Sequence, residues 1–177
     1  GSSICKQFIS LNWSVIGAVR LIKNQLNTQN VKYVSVGDIG FRTDWKDLLT
    51  GNDCVIHCAG IAHTIDTGIN KSLDLYRLVN VKGTIQLAME CSKSGVKRFI
   101  YLSSIHVLGK NTNNRAPFSI YDEPQPTESY DISKLEAEKA LLDIQKKTGL
   151  EIVIVRSPLV YGPGAKGNFY RLLKLIN

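Results

Sequence analysis

Two kinds of hydrophobic pattern alternate along this chain. Short β-branched runs are apolar at consecutive positions: Ser14-Val-Ile-Gly-Ala-Val19, Lys32-Tyr-Val-Ser-Val36, Asp53-Cys-Val-Ile-His57, Arg98-Phe-Ile-Tyr-Leu102 and Glu151-Ile-Val-Ile-Val155. They predict strands buried on both faces. Between them lie longer segments with apolar residues at three- and four-residue spacing, which predict helices over 2–12, 43–50, 72–94, 128–148 and from 168 onward. Such strands joined by helices imply a parallel sheet covered on both sides, hence a doubly wound α/β fold. The long irregular stretch 110–127 carries three prolines and three asparagines. A loop of that length on the carboxyl side of a strand usually shapes a binding site.

Composition narrows the function classes. The 177 residues are 44% hydrophobic and 21% charged, an ordinary globular balance. No apolar run approaches the roughly 18 residues a membrane span needs, and no basic-then-apolar leader opens the chain, so the expected setting is the cytoplasm. The four cysteines, Cys5, Cys54, Cys58 and Cys91, are too sparse for a disulfide scaffold, and Cys54 and Cys58 fall in a run read as buried, where packing is the expected role. The net charge of +7 is spread so that basic residues never exceed two in a row. That is weak evidence for a nucleic-acid partner, and a phosphate-bearing small molecule suits it equally.

In doubly wound folds ligands bind beyond the carboxyl ends of the strands. There the fourth run is followed by Ser103-Ser104-Ile-His106, and Tyr130-Asp-Ile-Ser-Lys134 opens the next helix. Tyr and Lys four apart share a helical face, so the ammonium is expected to lie near the phenol and favour its ionised form. Tyr130 is then a candidate general acid/base, with the Ser104 hydroxyl able to hold the same substrate oxygen. Tyr170-Arg-Leu-Leu-Lys174 has the same spacing but lies in a terminal amphipathic stretch, where Tyr and Leu read as core. Among the histidines, His57 reads as a satisfied structural residue, and His106, two residues past Ser104, as a substrate contact or a packing residue. No His, Cys and carboxylate set has metal-ligand spacing, so no metal is expected. Asp122-Glu123 reads as a loop pair, Glu136 and Glu138 as a solvated helix face, and Glu138 with Lys134 as surface electrostatics.

Five motifs occur in order: Val55-Ile-His-Cys-Ala-Gly60, Asn80-Val-Lys-Gly-Thr84, Tyr101-Leu-Ser-Ser104 with Val107-Leu-Gly109, Tyr130-x-x-x-Lys134, and Arg156-Ser-Pro-Leu-Val-Tyr-Gly-Pro-Gly164. Together they resemble the extended short-chain dehydrogenase/reductases, in their nucleotide-sugar epimerase/dehydratase branch. Within it the chain looks most like bacterial surface-polysaccharide enzymes acting on UDP-sugars, 4-epimerases and 4-ketoreductases. The resemblance implies a Rossmann-like domain binding NAD or NADP over 1–160, and the start of a substrate-binding region over 161–177. It gives Tyr130 the proton at the sugar 4-hydroxyl, Lys134 the nicotinamide ribose, and Ser104 a hydrogen bond to the sugar oxygen. Asp38 and Ile39 would hold the adenine, and Ala59 and Gly60 would pass the phosphates and ribose. His63 would only line the cofactor. Asn80 stands behind the site, Ser157 and Pro158 border the nicotinamide, and Asn168 and Phe169 meet the nucleotide diphosphate of the substrate.

The chain departs from the family pattern in two places. Where NAD-preferring members carry an acid for the adenosine ribose, this sequence has Val19 followed by Arg20, and an arginine there suits a 2′-phosphate. The expectation therefore leans towards NADP(H) and net reduction. Of the glycine-rich turn only Gly1 is present, as its third glycine, although Gly1-Ser-Ser3 reads also as a tag remnant. Gly162-Pro-Gly-Ala-Lys-Gly167 fits a dinucleotide pattern formally, but too little chain follows it for a βαβ unit. The family's first strand would lie between the first and third strands visible here, so the expectation is a fragment of a longer, homodimeric enzyme. The rival readings are a non-catalytic cofactor-binding regulator on the same fold and a nucleotide-sugar 4,6-dehydratase.

Overall fold

A computed structural model describes residues 1–22, 31–40, 43–62, 72–113 and 115–162. In chain order the elements are α1 (Ser2–Ser10), β1 (Ile16–Val19), β2 (Lys32–Ser35), α2 (Lys46–Leu49), β3 (Cys54–His57), α3 (Leu73–Tyr76), a π-helical segment (Arg77–Gly83), α4 (Thr84–Lys93), β4 (Arg98–Ser104), a 3₁₀ turn (Ile105–Leu108), α5 (Ser129–Thr148) and β5 (Glu151–Ser157). The helix expected from 168 and the repeated Tyr/Lys spacing at Tyr170 lie outside the described residues.

Among the described residues every strand pairing is parallel. β1 pairs with β2, and β3, β4 and β5 form a second sheet in that order. β1 and β3 are not paired with each other. The core sits on the three-stranded side. Phe99 and Tyr101 of β4 are buried against Leu87, Ala88 and Cys91 of α4 and Ala137, Leu141 and Ile144 of α5. By contrast α1 buries no residue and β1 only Gly17.

Several boundaries differ from expectation for identifiable reasons. β4 and β5 run on to Ser104 and Ser157 because they pair with each other over their full length, ending Ser103 opposite Arg156 and Ser104 opposite Ser157. The helix expected over 43–50 shrinks to Lys46–Leu49. Upstream, the Thr43 hydroxyl accepts from Gly40 N and donates towards the Asp38 and Gly40 carbonyls, while Asp44 takes the Lys46 N–H. Such local side-chain bonds hold the backbone in turns instead of helix. The long helix over 72–94 is present but widens into the π segment, a feature frequent at functional sites.

Two sequence readings are corrected. Cys54, expected inside a buried run, is exposed, because β3 is the last strand on its side of the sheet. Glu138, expected on a solvated helix face with Lys134 in a surface pair, is buried, as is Lys134. Partners from β4 and β5 cover the helix face that carries them. Among the described residues, no helix is long and apolar enough to cross a membrane.

Candidate active site

The carboxyl ends of β3, β4 and β5, with the first turns of α5 and the π segment, bring most of the singled-out residues to one place. The turn after β3 is shaped by Asn80, which is 1% exposed. Its Oδ1 accepts from Ile61 N at 2.8 Å, and its Nδ2 donates to Ile61 O at 3.0 Å and to Ser133 Oγ at 3.1 Å. That pattern fixes which amide atom is which. Ser133 Oγ passes its own proton to the Tyr130 carbonyl at 2.7 Å. One side chain thus ties the Ala59-Gly60-Ile61 turn to the first turn of α5.

Gly60 is required there by space. A Cβ on it would meet Asn80 Oδ1 at 2.9 Å and Lys134 Nζ at 3.7 Å. Such a cradle, bare of side chain and bordered by a buried amide and an ammonium, fits a ligand whose phosphate and ribose pass close to backbone. Gly83 plays a similar role towards β2. A Cβ on it would lie 2.8 Å from Ile39 Cγ2, so the π segment packs directly on the turn that carries Asp38 and Ile39.

Lys134 donates to the Leu102 carbonyl at 2.8 Å, with its nitrogen 4.6 Å from the centre of the Tyr101 ring and 5.9 Å from that of Tyr130. Burial pulls its pKa down to about 8, with Cys58 and Glu138 acting in the opposite direction. The Tyr130 phenol is pushed above its ordinary value, first by burial and then by the Asp131 carboxylate and Tyr76. This corrects the expectation that Lys134 favours phenolate. The ammonium is turned towards the β4 carbonyl and the Gly60 turn, and Asp131, next in sequence to Tyr130, supplies charge of the opposite sign. The shift is in the direction of a phenol that keeps its proton.

Ser104 ends β4, caps the 3₁₀ turn and accepts the His106 backbone N–H at 3.2 Å. Its own hydroxyl proton remains available to a ligand oxygen. His106 is half exposed and lies beside Asp131, Nδ1 to Oδ1 at 3.8 Å. Ser157 Oγ donates to the Ser103 carbonyl at 3.3 Å, and Pro158 follows it on the exposed rim.

The remaining candidates are less gathered. Gly1 is the N-cap of α1, its carbonyl accepting from Cys5 N. Arg20 and Asp38 form an exposed ion pair, Nε to Oδ1 at 2.6 Å, joining the ends of β1 and β2. His63, Asn168 and Phe169 lie outside the described residues. Among the described residues no group of three or more His, Cys, Asp or Glu side chains could hold a metal ion.

His57 is a structural histidine. Thr84 Oγ1 gives its proton to Asn80 O at 2.7 Å, so in its 3.0 Å contact with His57 Nε2 it must accept. Nε2 therefore carries the proton. Sequence reasoning passed over Ser133, Asp131 and the set formed by Ser103, Glu138 and Arg156. Their signal was positional only: each stands within a few residues of a motif residue.

Residues 1–175 match the model of the NAD dependent epimerase/dehydratase family. The chain belongs to that family. It is 42% identical over 156 residues to a UDP-glucose 4-epimerase of Vibrio cholerae, covering 88% of this chain and 48% of that protein. It is 34% identical over 160 residues to an N-acetyl-alpha-D-glucosaminyl-diphospho-ditrans,octacis-undecaprenol 4-epimerase of Escherichia coli O157:H7, covering 88% and 46%. The solved structure of a UDP-glucuronic acid 4-epimerase from Bacillus cereus in complex with NAD superposes with a TM-score of 0.83 at 26% identity, covering 99% of this chain and 59% of that one. The chain thus spans about half the length of the curated relatives it matches. As a member of the family it has the α/β fold with parallel sheets that the sequence predicts.

Proposed function

We propose that this chain carries the cofactor-binding and catalytic half of an NAD-dependent enzyme that epimerises a UDP-sugar at C4. The observation that carries this reading is Lys134, whose nitrogen lies 3.7 Å from where a Cβ on Gly60 would stand and 5.9 Å from the Tyr130 ring, with Asn80 linking the Gly60 turn to the helix of Tyr130 and Ser104 at the end of β4, the strand whose Leu102 carbonyl Lys134 bonds. In this reading the Ser104 hydroxyl donates to the sugar 4-oxygen and aligns it. Tyr130 must first release its own phenol proton to solvent; as phenolate it takes the proton of the 4-hydroxyl on oxidation and returns it on reduction, so the proton balance closes within one cycle. Lys134 holds the cofactor ribose and brings the positive charge that a transient phenolate needs. NAD, when bound, supplies the hydride acceptor and donor.

Ala59 and Gly60 would pass the cofactor phosphates and ribose, Asp38 and Ile39 the adenine, Ser157 and Pro158 the nicotinamide, and Gly1 the start of the phosphate-binding helix. His106 would meet the sugar, and Asn168 and Phe169 the nucleotide diphosphate. The expectation of NADP(H) finds no support in the geometry: the Arg20 guanidinium is already neutralised by Asp38, whose carboxylate would repel a 2′-phosphate. The relatives named above are 4-epimerases, one of them holding NAD. Both points favour the redox-neutral cycle over net reduction. The test is incubation of the full-length protein with UDP-glucose, UDP-N-acetylglucosamine and UDP-glucuronic acid, followed by product analysis. The C4 epimer, formed without net consumption of reduced cofactor, is expected. Reduction of a 4-keto sugar at the expense of NADPH instead would turn the reading towards a ketoreductase, and no reaction on any of them would overturn it.

A further inference from the structure

A single carboxylate joins three of the elements that supply the site, α5, β4 and β5. Glu138 lies one turn beyond Lys134 on α5 and is 2% exposed. Its Oε1 accepts from Ser103 Oγ. Arg156 Nε donates to both carboxylate oxygens at 3.2 Å, and Nη2 donates to Oε2 at 2.7 Å. Ser103 and Arg156 face each other across the β4–β5 pair, and each immediately precedes a residue of the candidate site, Ser104 and Ser157. Glu138 closes over both from the helix of Tyr130 and Lys134.

A buried ion pair of this kind contributes little net stability, because desolvation of both charges offsets their attraction. What it does fix is orientation: a planar guanidinium donating twice to a planar carboxylate accepts essentially one arrangement. We propose that Glu138 is a positioning residue that, through Ser103 and Arg156, sets the ends of β4 and β5 against the helix face carrying Tyr130 and Lys134. The role rests on the reading of Tyr130 and Lys134 given above.

It also has an electrostatic side. Lys134 is faced from α5 by Tyr130 and Glu138, from β4 by the Tyr101 ring and the Leu102 carbonyl, and from the end of β3 by His57 and Cys58. Glu138 and Cys58 favour the ammonium, and burial opposes it. With Glu138 neutralised, the Arg156 cation would stay behind unbalanced, and Lys134 would release its proton at lower pH.

The experiment follows NADH binding by fluorescence across pH, together with kcat and KM for the nucleotide sugar, in the full-length protein and its variants. Glu138→Gln is expected to move the alkaline loss of NADH binding down by about half a pH unit or more, and to lower kcat about tenfold with KM within about twofold. Glu138→Asp keeps the charge and is expected to return the alkaline midpoint towards wild type. Ser103→Ala deletes one hydroxyl and is expected to fold normally while lowering kcat about threefold or more. It therefore decides the matter if Glu138→Gln does not fold. A wild-type midpoint and kcat in Glu138→Gln, or wild-type kcat in Ser103→Ala, overturns the proposal. Tyr130→Phe separates the two levels. Unimpaired turnover there removes the site reading itself, whereas loss there with wild-type Glu138→Gln and Ser103→Ala removes only the role of Glu138.

Discussion

His57 is expected to make the chain sensitive to mild acid. The imidazole is buried, stacked at 5.9 Å on the Tyr101 ring, and committed through Nε2–H to the Thr84 hydroxyl. Burial, with the nearby Lys134 ammonium, lowers its pKa from 6.5 to about 3. The unfolded chain binds a proton at this histidine below pH 6.5, whereas the folded one does not until about pH 3. Stability therefore rises with pH across that window and is lost as pH falls through it. At about 1.4 kcal/mol per pH unit the whole window corresponds to about 5 kcal/mol, and the step from pH 6.5 to pH 5 to about 2 kcal/mol. That is a large fraction of the roughly 5–15 kcal/mol that holds a domain folded. The assay is urea unfolding of the full-length protein at pH 7, 6 and 5, beside His57→Gln, which keeps an N–H for Thr84 but cannot titrate. The variant is expected to start less stable and to lose about 2 kcal/mol less between pH 6.5 and 5. Parallel slopes for the two proteins, or a His57 ring resonance titrating near pH 6.5, would refute the reasoning.

Other expectations follow from the same geometry. Lys134 titrates at about 8, so NAD affinity and turnover are expected to fall above that pH as the ammonium is lost, and Lys134→Gln should flatten this alkaline limb in a pH profile. Gly60→Ala would push a methyl to 2.9 Å from Asn80 Oδ1 and is expected to weaken NAD binding about tenfold or more by calorimetry. Asn80→Ala removes three hydrogen bonds at a buried position and is expected to cost about 2–3 kcal/mol in a urea melt. Arg77→Ala breaks a half-exposed pair with Glu136 and should cost no more than about 1 kcal/mol in the same assay.

The order of strands and helices was legible because each strand is a compact β-branched run and each long helix keeps its period, signals that need no distant partner. Glu138 was misread for a physical reason. Charged residues at helical spacing normally face water, and only Arg156 and Ser103, 18 and 35 residues away, make its burial tolerable. The Tyr130 phenol was misjudged similarly. Its four-residue spacing from Lys134 is real, but Lys134 donates to the Leu102 carbonyl of another element, and the adjacent Asp131 is buried beside the ring. Local spacing shows which side chains share a face; which one each turns towards is decided by the strands packed against it.

The central claim is that Tyr130 is the proton-exchanging group of a nucleotide-sugar site. Its most direct test is turnover of the accepted UDP-sugar by full-length Tyr130→Phe, with NAD binding measured in parallel. The account predicts NAD binding within a few-fold of wild type and kcat reduced by about a hundredfold or more. Turnover within a few-fold of wild type would contradict it.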